Sequence, residues 1–138
     1  MDARRLTDDF SVSPQIEADS LSEIARAGYR SVLCNRPDDE EPGQTAYERI
    51  AAAAGEEGLE ARSVPIVSGV ITAEALEDFR AALDELPKPI LAYCRSGTRC
   101  TMLWAITRHG EMDDAEIQRR AAEAGYDVSG ILRQLGSQ

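Results

Sequence analysis

An α/β fold with a parallel central sheet of four to five strands flanked by helices is what this 138-residue sequence predicts. Three observations carry that expectation. Short apolar runs at 29–34, 59–67 and 90–93 read as strands, and the stretches between them place apolar side chains at helical spacing. Helix-boundary residues punctuate the chain at the same places. Strands separated by helices need crossover connections, which favour parallel pairing with helices on both faces.

Residues 10–16, FSVSPQI, alternate weakly and read as an early strand or strand pair. Ser20-x-x-Glu23 has the form of a capping box, Leu21, Ile24 and Ala25 supply an apolar face, and Gly28 suits a left-handed cap. YRSVLC, 29–34, is a strand. After the proline-broken loop NRPDDEEPGQ, read as a solvated loop, Thr45-x-x-Glu48 forms a second capping box, opening a helix that Gly55 stops. LEARSVPIV, 59–67, reads as a strand with Pro65 near its end. Thr72 caps a helix from 73 to about 86, with Leu76, Phe79 and Leu83 on one face. Pro87 and Pro89 lead into the strand 90–93, and a helix from about Cys100 to His109 follows. Asp113 and Gly125 bracket another helix, and a short one closes the chain near Leu135. Residues 1–138 read as one domain, with no repeat and no low-complexity linker.

Composition narrows the function. A net charge of −10 repels nucleic acid and anionic membrane surfaces, so neither is an expected partner. MDARRLTDDF lacks a signal peptide's apolar stretch and no run approaches the roughly 18 apolar residues of a membrane span, which gives a cytoplasmic expectation. Three cysteines, one histidine and no CxxC pair argue for free thiols, with no metal or organic cofactor.

The chemistry concentrates in ILAYCRSGTRC, 90–100. Cys94 stands where a buried strand meets a helix N-terminus, a place that gathers backbone N–H groups and partial positive charge. Gly97 permits a tight backbone path, and Arg99 can hold an oxyanion bidentately. A cysteine of ordinary pKa about 8.5 falls to roughly 3.5–7.5 in such surroundings, so Cys94 is expected to be a thiolate nucleophile. Cysteine-dependent phosphatases space the cysteine and arginine by five residues, whereas rhodanese-type sulfurtransferases use a loop one residue shorter. Cys94 and Arg99 are separated by four, which favours sulfur. Phosphoryl transfer also needs an acid for the leaving oxygen, and the loop PIVSGVIT, 65–72, holds no carboxylate; Asp38, Asp39 or Glu40 would have to supply it.

These residues resemble one family. Cys34-Asn35-Arg36-Pro37-Asp38, Val64-Pro65-Ile66-Val67-Ser68-Gly69, Ile71-Thr72, Tyr93-Cys94-Arg95-Ser96-Gly97-Thr98-Arg99 and the terminal Ala121–Asp127 segment are similar to the phosphatase-like domain of the beta-lactamase hydrolase-like proteins. The resemblance implies a cysteine-phosphatase-like fold and a role in sulfide and persulfide metabolism, since some relatives are fused to persulfide dioxygenases. The main expectation is a rhodanese-like sulfurtransferase. Cys94 and Arg99 are its catalytic residues, Arg95, Ser96, Gly97 and Thr98 its substrate loop, and Asn35 and Arg36 its pocket rim. Its partners would be a small anionic sulfur donor, thiosulfate or a low-molecular-weight persulfide, a thiol acceptor and a persulfide dioxygenase. The alternatives are a phosphatase working through a Cys94 phosphocysteine, and a redox-sensing domain pairing Cys94 with Cys100 or Cys34. Such loops usually carry serine or threonine after the arginine, to hydrogen-bond the sulfur; here Cys100 stands there, read as a small residue packed beneath the loop. Trp104 and Phe79 read as core, and His109 has no catalytic role.

Overall fold

The computed structural model describes residues 1–136. Five strands, β1 (Arg4–Thr7), β2 (Phe10–Ser13), β3 (Ser31–Cys34), β4 (Glu60–Ser63) and β5 (Ile90–Tyr93), form one sheet in the order β1-β2-β5-β3-β4. β2, β5, β3 and β4 run parallel, and only the edge pair β1–β2 is antiparallel. The early apolar segment is therefore the second arm of a hairpin. Its first arm, RRLT, has one buried side chain, Leu6, and too little alternation to announce itself.

The helices are α1 (Leu21–Arg26), α2 (Tyr47–Glu56), α3 (Ala73–Glu85), α4 (Thr98–Arg108), α5 (Asp114–Glu123) and α6 (Ser129–Gly136). Alternation along β5 decides what each face buries. Ile90 and Ala92 join Val12, Phe79, Leu83, Leu103, Trp104 and Ile117 under α3, α4 and α5. Leu91 and Tyr93 join Val32, Ile24, Ile50 and Ala54 under α1 and α2. Phe79 and Trp104 are fully buried, as expected of core residues.

Helix starts divide the expectations. Thr72 caps α3, its Oγ1 accepting from the Ala75 N–H at 3.1 Å. Neither expected capping box forms. Ser20 is itself helical and belongs to a 3-10 turn (Ala18–Ser20) running into α1, so its hydroxyl makes no cap. At α2 the N-cap position is Ala46, and Asp38, distant in sequence, accepts from the Tyr47 N–H at 2.9 Å. Thr45 instead donates to Glu17. A carboxylate at a helix N-terminus satisfies an orphan N–H and complements the dipole better than the local hydroxyl.

Candidate active site

β5 lies at the centre of the sheet, and its carboxyl end delivers the chain directly into the loop 94–97. Cys94 donates its backbone N–H to Ser13 O at 3.3 Å, and Gln15 N–H reaches Arg95 O at 3.3 Å, pinning the loop to the end of β2. Gly97 then takes φ +90°, ψ −8°, a left-handed conformation that glycine alone adopts without cost, and α4 starts at the next residue. This turn brings the Gly97 N–H to 3.1 Å from Cys94 Sγ. Tyr126, beyond α5, closes the loop from outside: its hydroxyl donates to Ser96 O at 2.8 Å while Arg4 lies 5.2 Å over its ring.

The Cys94 thiol is held down to about 5. The largest cause is a hydrogen bond from the Cys100 thiol, reinforced by the backbone N–H groups of Cys100, Ser96 and Gly97 and opposed by burial. Cys100 is correspondingly pushed well up, by burial and by the anion beside it. The proton belongs to Cys100 and the charge to Cys94. Cys100 is thus the small buried residue beneath the loop, and its thiol also does the work a serine hydroxyl does in that place. Thr101 does not compete, since its Oγ1 turns back to Gly97 O at 2.8 Å, and Thr98 Oγ1 sits 2.9 Å from Ser96 Oγ.

Arg99 is fixed by three hydrogen bonds. Nη1 donates to Glu40 Oε2 and to Ile66 O, and Nη2 to Glu40 Oε1, all at 2.8 Å. A guanidinium has five N–H groups. The two outside this set, on Nε and Nη2, form its side edge, the edge that takes an oxyanion through two parallel bonds. Glu40 therefore locks Arg99 from behind and leaves the anion-binding edge. The acidic loop is not simply solvated.

Glu40 is itself locked. Arg36, with a side chain only 1% exposed, donates from Nε to Glu40 Oε1 at 2.8 Å, from Nη2 to Glu41 at 3.0 Å and from Nη1 to Gln15 at 2.9 Å. Arg36 is consequently a buried strut and not a residue of the pocket rim. Asn35 is not on the rim either. It is fully buried, donates from Nδ2 to Val64 O at 2.9 Å, and ties the loop after β3 to the loop after β4. Both were expected to meet substrate; instead their hydrogen bonds to Val64 O and to Gln15, Glu40 and Glu41 hold them inward.

The same pairing removes Glu40, the one of the three expected proton donors that lines the cavity beside the loop. Arg99, then Arg36, hold the Glu40 carboxyl down to about 2, so it stays ionised. Asp38 is occupied capping α2. Cys34 accepts no site role: its thiol is buried and donates to Arg36 O at 3.2 Å, and burial raises its pKa. His109 pairs with Asp114 at 2.9 Å at the opposite end of α4 from the loop. The Arg36–Glu40–Arg99 chain and the Tyr126 clasp were not foreseen. The i,i+4 spacing of Arg36 and Glu40 was the one available signal, and outside a helix it is weak.

Arg36→Met is expected to lower stability by about 3 kcal/mol in urea unfolding, because it removes one partner of a buried charge network. Glu40→Gln leaves the buried Arg36 with only Glu41 and Gln15, so it should cost about 1–3 kcal/mol in the same assay, release Arg99 and reduce kcat/KM by roughly tenfold to a hundredfold.

Arg95, Ser96, Thr98 and Arg99 line a cavity of about 420 Å³ that Ser68, Gly69, Met102 and Glu40 complete. Cys94 is buried behind this wall. Among the described residues no helix is long and apolar enough to cross a membrane.

Residues 2–111 match the model of the beta-lactamase hydrolase-like protein, phosphatase-like domain. A curated beta-lactamase hydrolase-like protein of Xylella fastidiosa is 33% identical over 131 residues, covering 94% of this chain; the chain spans only 30% of that relative's length. A solved candidate phosphatase from Neisseria meningitidis superposes with TM-score 0.88 at 33% identity, covering 99% of this chain and 98% of that one. The core catalytic domain of the PP-IP phosphatase SIW14 from S. cerevisiae shares the fold, with TM-score 0.65 at 17% identity and coverage of 99% and 92%. With its cysteine loop, its parallel sheet and this breadth of match, the chain belongs to the phosphatase-like domain family of the beta-lactamase hydrolase-like proteins.

Proposed function

We propose that this domain is a cysteine-dependent phosphatase whose nucleophile is Cys94. The observation that carries the reading is the Cys94 sulfur, ionised and 3.1 Å from the Gly97 N–H, in a loop whose arginine is locked with its side edge unspent. The thiolate attacks phosphorus of a phosphate monoester, the S–P bond forms and the P–O bond to the leaving group breaks. Water then cleaves the phosphocysteine, returning the thiolate and releasing inorganic phosphate. Arg99 and the loop N–H groups take the charge that gathers on the equatorial oxygens. With Glu40 ionised and Asp38 engaged, the leaving oxygen departs as the anion and takes its proton from water. Leaving groups of low basicity, such as phenols, are therefore preferred.

The family supports this order of readings over the sulfurtransferase suggested by loop length and the acid-free 65–72 loop. Two observations keep sulfur transfer as the second reading: the Cys94–Arg99 spacing of four, and the engagement of Glu40 and Asp38 elsewhere, suit a reaction whose leaving group needs no proton. There Cys94 would take the outer sulfur of thiosulfate, releasing sulfite, and pass it to a thiol.

The test is to give the protein 4-nitrophenyl phosphate and thiosulfate separately, follow release of nitrophenolate, and weigh the intact chain. Nitrophenolate release with phosphate formation supports the phosphatase. Gain of a single sulfur atom from thiosulfate without any phosphate hydrolysis would replace it with the sulfurtransferase.

A further inference from the structure

We infer that the substrate anion carries an apolar group, and that this group lies in a groove running from the cavity lined by Arg95 and Arg99, between the 64–72 loop and α6. The inference rests on the reading of the Cys94 loop as an anion cradle and adds to it the other half of the substrate. The groove has a volume of about 380 Å³, and Ile66, Ile71, Met102 and Ile131 form its apolar lining. It is continuous with the anion cavity, for Gly69, Arg99 and Met102 belong to both. The Arg99 bond to Ile66 O places the guanidinium at the junction, with the charged compartment on one side and the apolar one on the other.

The surface around the groove is unusual for this chain. Among the described residues four large apolar side chains are exposed; Met1 is one, and Val67 (61%), Val70 (55%) and Ile71 (36%) are the other three. All three stand on the single loop between β4 and α3 that borders the cavity. A domain with net charge −10 gathers three of these four exceptions on the loop that borders the Arg99 cavity. The overall negative field disfavours polyanionic substrates, while a single anionic head meets Arg95 and Arg99. Continuity with the cradle makes the occupant the organic part of the substrate, an aryl or branched alkyl group of one or two rings' size. The preference for phenolic leaving groups, reached from the ion pair that holds Glu40 and the cap that holds Asp38, points to the same chemistry.

Phosphonates test this without turnover, since their P–C bond is not cleaved. Binding of methylphosphonate and of 1-naphthylmethylphosphonate to the wild-type chain is compared by calorimetry. The naphthyl compound is expected to bind about tenfold tighter or more. In Ile71→Ser and Ile131→Ser the ratio should fall toward one while methylphosphonate affinity stays unchanged; Ile71 is exposed, so its variant keeps the fold. Equal affinities in the wild type, or a ratio that neither variant moves, overturn the inference and leave the loop's apolar residues to a protein partner. Should neither phosphonate bind, the phosphoryl reading falls. The ratio is then read from the rates at which methanethiosulfonate and benzenethiosulfonate load sulfur onto Cys94, detected by intact mass. Similar rates, or no loading by either, overturn the groove as well.

Discussion

Cys94→Ser protein is expected to keep its fold and lose turnover by at least about 10³-fold. Serine fills nearly the same volume in the same ring of N–H groups, but its hydroxyl does not ionise near neutral pH, and the ring exists to stabilise an anion. The ultraviolet thiolate absorbance that the wild type shows and Cys94→Ser lacks should rise with a midpoint near pH 5. kcat/KM should rise through the same midpoint as pH increases. Glu40, held at about 2, adds no further limb above that value. Because Cys100 supplies the largest lowering, Cys100→Ala should raise the midpoint by about one to two units. A midpoint above neutrality in the wild type would remove the basis of the mechanism. The displacement also has a stability consequence. The folded pKa lies below that of an ordinary thiol, so the folded chain binds fewer protons between the two. This contribution to stability is complete above about pH 9 and fades as pH falls toward 5.

Gly97→Ala is the second large effect. At φ +90° the alanine backbone is strained, by about 1–2 kcal/mol. In addition, the new Cβ would stand 2.1 Å from the Tyr126 hydroxyl, so the ring must leave and its bond to Ser96 O is lost. The loop then loses both its internal path and its outer clasp. The variant should unfold about 2–4 kcal/mol more easily and lose at least about a hundredfold in kcat/KM, since the Gly97 N–H no longer addresses the sulfur. Tyr126→Ala separates the two causes. In the double variant the clash is absent, so the cost of adding the methyl should shrink to the backbone strain alone. If Gly97→Ala costs the same with and without Tyr126, the clasp has no part in holding the loop.

The two variants touch features of different legibility. Cys94, Gly97 and Arg99 were evident in the chain because the strand-to-helix turn is local, and the residues that make the turn are the residues that do the chemistry. Helix–strand order was legible for the same reason: periodicity within ten residues reports which side chains face inward. Thr72 capped where expected because its partner is three residues away.

What failed to show were pairings between distant segments. Arg36 and Asn35 looked like rim residues because polar side chains after a strand usually face solvent; a buried network with Gln15, Glu40 and Glu41 offsets the cost of burying Arg36, and no short window contains it. The expected cap at α2 lost to Asp38 from a separate loop. Tyr126, thirty residues past the Ser96 carbonyl it binds, has no local signature at all.

By itself, then, the order of residues determined an α/β sheet with an acidified thiol at the end of its central strand, since the Cys100 thiol and the N–H groups of Cys100, Ser96 and Gly97 all act over a few ångströms of contiguous chain. Only tertiary structure decided which carboxylate locks Arg99 and that this carboxylate cannot serve as an acid. The reason is electrostatic. An ion pair's energy depends on distance through space, and folding brings positions 36, 40 and 99 to 2.8 Å contacts that separation along the chain does not encode.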